Sequence, residues 1–319
     1  MERPAIVEHY AQLVDIIYRI TDAYLYDGRI DDAVQVAENG LQIVDDNSDV
    51  DLNDLVRLLL QLGELLNRRS FYDDPAFEKV IRILNRAQQM AEELGNQELL
   101  ATALLRLGQA HDYQTMNTRE GDYQVALDCF EQALALFQEA NLFEEEGKAI
   151  FNIGLIYQRR QDLEKARQYF SRAYEIAVQG GYRLDQSLAI RHLGFVHFVA
   201  GDYELAEECA QESLSLREEL GYRLYLPPAH HVLGSLYIVQ EKWERAFVHL
   251  EQANALAEEM KLKSYLIQIQ LSLGEWYKRQ GMKDEAQRYF QKAYDLAVGF
   301  KHQRWQKAAE ADLKALQSE

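Results

Sequence analysis

Apolar and polar positions along the chain alternate with a helical period. Ile150, Ile153, Leu155 and Tyr157 recur at two to four residues, then Ala166, Phe170, Ala173, Tyr174 and Ala177 do the same. Each run is an amphipathic helix with one apolar face, and a short polar break separates the two. The pattern therefore predicts a helical hairpin, and it repeats. Gly154, Gly194, Gly234 and Gly274 fall at intervals of 40, within Asn-Ile-Gly-Leu-Ile-Tyr157, His-Leu-Gly-Phe-Val-His197, Val-Leu-Gly-Ser-Leu-Tyr237 and Ser-Leu-Gly-Glu-Trp-Tyr277. Twelve residues after each comes Ala166, Ala206, Ala246 or Ala286, and seven further on Ala173, Ser213, Ala253 or Ala293. A glycine inside a helix costs about 1 kcal/mol relative to alanine. A repeated one implies close approach of the partner helix, and the small residues are expected to face it.

Earlier repeats are looser. Gly108 goes with Ala126 and Ala133, Gly63 with Val80 and Ala87, and Thr21, Ala33 and Gly40 give a degenerate first repeat. Spacing from column to column is 42, 45 and 46 residues there, and the distance from glycine to the next small residue is 17 and 18 instead of 12. The excess is expected in widened turns around 70–75 and 115–121. Gly28, Gly121, Gly201 and Gly281 suit a left-handed residue ending each first helix, as Asn141, Gly181 and Gly221 suit the end of each second one. Asp31, Asp122, Asp162 and Asp202 suit caps of the second helices. The stretch 301–319, with Trp305, Ala308, Ala309 and Leu313, reads as a last helix that covers the end of the stack. The expected organisation is one all-α array: irregular repeats over 1–140, regular 40-residue repeats over 141–299 and a capping helix over 300–319.

Composition narrows the function. A net charge of −18 argues against nucleic acid as a partner, because such binding draws its affinity from basic side chains. No apolar run of 18 residues is present, so no membrane span is expected. The start of the chain shows no signal peptide, which points to a cytoplasmic protein. Cys129 and Cys209 hold the same repeat position two repeats apart and are expected as half-buried free thiols.

Leu-Gly-x-x-Tyr, followed by Gly-Asp-Tyr-x-x-Ala and a second small residue seven later, resembles the tetratricopeptide repeat over residues 9–317. Repeats of 40 or more residues in place of 34 are similar to the long repeats of MalT-like regulators, Rap and PlcR-type peptide sensors, kinesin light chain and the LGN spindle adaptor. The resemblance implies a right-handed α-solenoid of about seven hairpins, with first helices lining a concave groove that binds peptides or protein segments. It also implies that positions two, three and six before the glycine, and one, four and five after it, point inward. In sensors of this kind an effector piece often precedes the repeats, and here the first repeat starts by about Tyr10. That favours a binding scaffold over a sensor, with a partner able to supply the effector.

At the inward positions Lys and Arg number nine (Arg19, Arg57, Arg68, Arg106, Lys148, Arg159, Arg191, Lys278, Arg279) and Asp and Glu five (Asp15, Asp22, Glu64, Asp112, Glu275). A locally basic trough in an acidic protein suits an acidic or carboxylate-bearing peptide, since arginine offers fork-shaped donors. The middle repeats carry the expected site: Arg106, Gln109, Tyr113, Lys148, Phe151, Asn152, Arg159, Arg191, His192, Phe195, Phe198 and His231. Phenylalanines would anchor apolar side chains, and Asn152 would pair with peptide backbone. The plain alternative is that these cations pair with acidic neighbours and the phenylalanines are stacking core. The expected partner is protein or peptide, with self-association left open.

No other chemistry is expected. His230 and His231 are adjacent and point about 100° apart on a helix. His-Glu-x-x-His, Cys-x-x-Cys, Gly-x-Ser-x-Gly and phosphate-loop patterns do not occur, so neither a metal, a cofactor nor a catalytic group is expected.

Overall fold

The computed structural model describes residues 3–45, 47–72, 76–118, 123–300 and 302–318. Fifteen α-helices and no strand occur among them. They pair as α1 (Arg3–Tyr26) with α2 (Ile30–Asp45), α3 (Leu52–Tyr72) with α4 (Phe77–Leu94), α5 (Gln97–Thr118) with α6 (Gln124–Ala140), and α7 (Phe143–Arg159) with α8 (Leu163–Gly180). Then come α9 (Arg183–Ala200) with α10 (Tyr203–Leu220), α11 (Leu226–Val239) with α12 (Trp243–Glu259), α13 (Lys263–Arg279) with α14 (Lys283–Gly299), and a closing α15 (Gln303–Ser318). The chain divides into two compact units, one ending at Gly180 and the other beginning at Gly181.

Glycine columns mark where the two helices of a hairpin touch. A Cβ on Gly108 would stand 2.5 Å from Phe130, and one on Gly154 would stand 2.7 Å from Phe170. Gly63, Gly234 and Gly274 meet Leu84, Leu250 and Phe290 in the same way. The large side chain that fills the glycine notch sits four residues after the alanine column, one helical turn from the residue expected to face it. Alanine instead brings its own backbone close: the Ala206 and Ala246 carbonyls lie 3.4 and 3.3 Å from the position of a Cβ on Gly194 and Gly234. Repeat five carries Ala210 where its neighbours carry Phe or Leu, and there Cys209 Cβ takes the contact at 2.9 Å. Burying a phenylalanine at such a notch contributes about 3 kcal/mol, enough to outweigh the helix propensity lost at the glycine.

Turn chemistry follows the sequence in part. Gly28, Gly181, Gly201, Gly221 and Gly281 take positive φ, as does Asn141. So do Gln161, Glu241 and Lys261, at the same repeat positions but with side chains that pay a steric penalty there. Of the expected caps, Asp162 accepts a bond from the Lys165 backbone at 3.2 Å. Asp202 stands at the cap of α10 without a side-chain bond, and Asp31 lies inside the first turn of α2. Gly121, Asp122, Lys301 and Glu319 lie outside the described residues. The excess length of repeats two and three also differs from expectation. It extends the first helices: α3 has 21 residues and α5 has 22, against 17 in α7. Phe71, on the added turn of α3, packs on Tyr113 at 5.0 Å, and this contact favours continuing α3 over opening a turn. The remaining parts of the two expected turns, 73–75 and 119–121, are outside the described residues. The capping helix is present as α15, whose Ala309 is buried beside Ala293, Ala297 and Ile267.

Candidate functional site

In both units the first helices of successive hairpins are tied together by polar contacts along one face. In the N-terminal unit Tyr18 Oη donates to the Arg57 carbonyl at 2.6 Å, Gln61 donates to Thr21 at 2.8 Å, and Asn67 donates to the Arg106 carbonyl at 3.0 Å. In the C-terminal unit His231 Nε2 and Ser272 Oγ are 2.9 Å apart, linking α11 to α13. These faces hold the inward columns inferred from the repeat.

On the N-terminal face Arg57, Arg68, Arg106, Lys148 and Arg159 are paired. Arg106 and Arg68 both meet Glu64, the second at 2.7 Å. Arg57 bridges Asp15 at 2.8 Å and Asp54 at 2.9 Å, Arg159 lies 3.1 Å from Asp112, and Lys148 is held by Glu144 at 2.6 Å. Asp54, Glu144 and Glu145 are not inward columns, yet they join the network; with them the face carries six cations against seven carboxylates. Burial works against the Glu64 carboxylate, but Arg106, Arg68 and Lys148 outweigh it and hold its pKa down to about 2. Asp112 is the opposite case. It is 1% exposed, neither carboxylate oxygen makes a hydrogen bond, and burial pushes its pKa up to about 6 against the pull of Arg159. Leu60 and Leu105, three residues before their glycines, are buried between the helices, so this face is closed by packing as well as by charge.

Gln109 accepts a contact from Arg106 at 3.4 Å, and Tyr113 packs on Phe71. Phe151 packs on Phe170 at 5.6 Å, which places it against the hairpin core. Asn152 is buried and donates to the Lys148 carbonyl at 2.7 Å, so one amide donor is committed to its own helix.

The C-terminal face differs in kind. Arg191 contacts His192, which is buried. His231 takes part in a cluster with Ser235 (3.5 Å) and Ser272 (2.9 Å), and burial together with the Arg191 charge lowers its pKa to about 4, so it is neutral at pH 7. Phe198 packs on Tyr203 at 5.7 Å. Phe195 is 40% exposed, and so to a similar degree are Val199 (49%) and Val239 (37%), at the columns one and five residues after the glycine. Arg279 pairs with Glu275 at 2.6 Å. The twelve expected site residues are thus divided between two surfaces, the first seven in the N-terminal unit and the last five in the C-terminal one.

Arg217 is a buried group that the sequence reading did not single out. It is fully buried, donating to the Tyr225 carbonyl at 2.9 Å and reaching the Ser187 hydroxyl at 3.3 Å and the Ser187 carbonyl at 3.4 Å. It holds α10 to α9 and to the short 3-10 turn Arg223–Tyr225 that precedes α11. The signal was available in the register, because Phe137, Ala177, Ala257 and Ala297 occupy the same 40-residue column and all are buried. Both cysteines are free and half-buried, and burial raises each thiol to about 11. Among the described residues no group of three or more His, Cys, Asp and Glu is placed to hold a metal ion, and no helix is long and apolar enough to cross a membrane.

Comparison with known proteins supplies the frame. The structure is similar to that of a Rap protein complexed with competence and sporulation factor, with 14% identity, a TM-score of 0.60 and 98% of each chain covered. It is similar to the Rap conjugation gene regulator of the plasmid pLS20 in complex with the Phr* peptide, at 14% identity and TM-score 0.57, covering 97% of this chain and 96% of that one. Aspartyl phosphate phosphatase F from Bacillus subtilis is 11% identical with TM-score 0.57, covering 97% and 94%. No curated protein sequence matches. The model of the tetratricopeptide repeat matches four overlapping stretches, 115–177, 145–219, 185–259 and 226–297, which together span more than half of the chain. With its glycine notches, hairpin pairs and 40-residue register, this chain belongs to the tetratricopeptide repeat family.

Proposed function

We propose that the protein is a non-enzymatic binding module that holds a peptide or protein segment bearing a carboxylate on its first-helix surface. The observation that carries this reading is the C-terminal face. Large apolar side chains stand in water there at inward repeat columns, beside a cationic Arg191. Exposed apolar side chains grouped on a repeat face mark a surface that a partner covers. Arginine supplies the donors a carboxylate needs. Similarity to a Rap protein complexed with competence and sporulation factor and to a Rap regulator in complex with the Phr* peptide supports a peptide as the ligand. Their near-complete mutual coverage also favours a second reading, in which binding regulates a partner protein.

Peptide-display selection against the full chain, followed by affinity measurement on Arg191→Glu, tests the proposal. Binding lost with helicity and melting temperature intact supports it, and retained affinity overturns it. Arg106, the other central arginine, is less suited to reversal: a glutamate there would confront Glu64 and strain the face itself.

A further inference from the structure

The first hairpin leaves one side of α1 exposed. Tyr18 bonds α3 through the Arg57 carbonyl, and Ile16 and Ile20, two residues before and after it, stand about 160° around the helix from it. Both are exposed, at 43% and 41%. With Arg19, Ala23, Tyr24 and Asp27 they line a cleft of about 330 Å³. On α2, Glu38 and Asp45 reach Lys79 and Arg86 of α4, whereas Ile43, about 160° around the helix from Asp45, is 54% exposed. A terminal repeat of a helical array keeps a polar outer face when nothing covers it. After the last hairpin α15 supplies a cover, with Ala309 buried beside Ala293 and Ala297. An apolar outer side on the first hairpin calls for a cover of its own.

Charge identifies that cover. Arg19 and Asp27 stand four residues before and after Ala23, about 12 Å apart along the helix, and neither forms an ion pair among the described residues. Two opposite charges placed evenly about a small residue are self-complementary. When two copies of α1 lie antiparallel across a two-fold axis at Ala23, Arg19 of each copy meets Asp27 of the other, and the pairing is made twice. Alanine at the axis lets the helices approach, with one Ile20 side chain on either side of it. A foreign partner would have to present the same two charges in reverse order, and a second copy carries them already. We infer that the protein forms a two-fold dimer through α1, burying Ile16 and Ile20 and pairing Arg19 with Asp27 of the other copy. The dimer does not depend on the proposed peptide-binding function.

Sedimentation velocity of the full chain over a concentration series from about 1 to about 200 µM tests this. The wild type should pass from monomer to dimer. Arg19→Glu and Asp27→Arg should each weaken dimerisation by roughly tenfold or more, and Ile20→Asp should abolish it. The double variant, in which the two charges have exchanged places, should recover wild-type association. Val248→Asp alters an exposed apolar residue of α12 and should leave association unchanged. All the substituted side chains are exposed, so the variants keep the fold, and circular dichroism verifies this. A monomer at every concentration would overturn the inference and leave this side of α1 to a different protein. A dimer indifferent to the α1 variants, or dissociated by Val248→Asp as readily as by Ile20→Asp, would overturn it by moving the interface elsewhere. Failure of the double variant to recover what each single variant loses would overturn the pairing about Ala23.

Discussion

The same repeat columns are used in opposite ways by the two units. One residue after the glycine stands Glu64 in the N-terminal unit and Phe195 in the C-terminal unit; five residues after it stand Arg68 and Arg159 against Val199 and Val239. On the first face these positions carry charges that satisfy one another across neighbouring helices. On the second, Phe195, Val199 and Val239 are left partly in water, and only the last repeat keeps a charged pair, Glu275 with Arg279. Paired carboxylates and guanidiniums lend rigidity and specificity of packing but offer little to a ligand, which would have to displace an existing partner. An exposed apolar column offers burial energy to any chain that covers it. A tetratricopeptide array can thus assign stiffness to one part and binding to another without altering its backbone repeat.

The largest test of that division concerns how the C-terminal unit manages the fully buried cation Arg217. Arg217→Ala removes donors from two carbonyls and leaves a cavity, and should cost about 3 kcal/mol. Chemical denaturation with the exposed Arg279→Ala as control measures it. A loss below 1 kcal/mol would mean that the buried arginine does not set the joint between α9, α10 and α11.

Next in size is Glu64→Gln. It leaves Arg68 and Arg106 facing a neutral group and should cost about 2 kcal/mol, while Ser235→Ala, at the same column, should cost less than about 1 kcal/mol. Equal losses in the two variants would erase the contrast between the faces.

These examples show how far the sequence could be read. Hairpin number, register, the glycine notches and the closing helix all follow from period and small-residue spacing, because close packing of two helices admits few alternatives at those columns. Whether a cation in an inward column is available or committed does not follow. The partners of Arg106 and Arg159 are Glu64 and Asp112, some 40 residues earlier, and Lys148 is held by Glu144, outside the inward columns. A census of face residues counts charge but not pairing. The end of α3 was similarly opaque: Phe71 on its added turn packs on Tyr113, a tertiary contact that local propensity does not encode.

Titration should act unequally on the two units, with half-buried His111 of the N-terminal unit partly opposing Asp112 there. Asp112 has its pKa raised from 3.8 to about 6, chiefly by burial, so its contribution is fully present below pH 3.8 and is lost as pH rises through 6. His230 and His231 have theirs lowered from 6.5 to about 4, again chiefly by burial, so their contribution is present above pH 6.5 and lost as pH falls through 4. Between pH 7 and 4.5 the C-terminal unit should therefore weaken, by up to about 2 kcal/mol for each histidine, while Asp112 eases its own unit. Hydrogen exchange at the two pH values, corrected for intrinsic rates, reads this segment by segment. Asp112→Asn should flatten the N-terminal response and His231→Asn the C-terminal one; parallel responses in both units would refute the assignment.

The smallest effects lie in the turns, where the two kinds of residue in one column give an internal control. Gln161, Gly201, Glu241 and Gly281 occupy the same left-handed position, with φ of 63°, 87°, 57° and 75°. An L side chain is strained there and glycine is not, although glycine also gains more freedom in the unfolded chain. The balance favours glycine, so Gln161→Gly and Glu241→Gly should each stabilise by about 0.5–1 kcal/mol, and Gly201→Ala should destabilise by about 1 kcal/mol. A Cβ on Gly201 would meet no atom within 4 Å, so any loss there reports backbone strain and not crowding. If all three substitutions move the melting temperature in the same direction, the left-handed turns are not under the strain their φ values imply. If Gln161→Gly stabilises and Glu241→Gly does not, the difference belongs to the units themselves and extends their contrast from the faces to the turns.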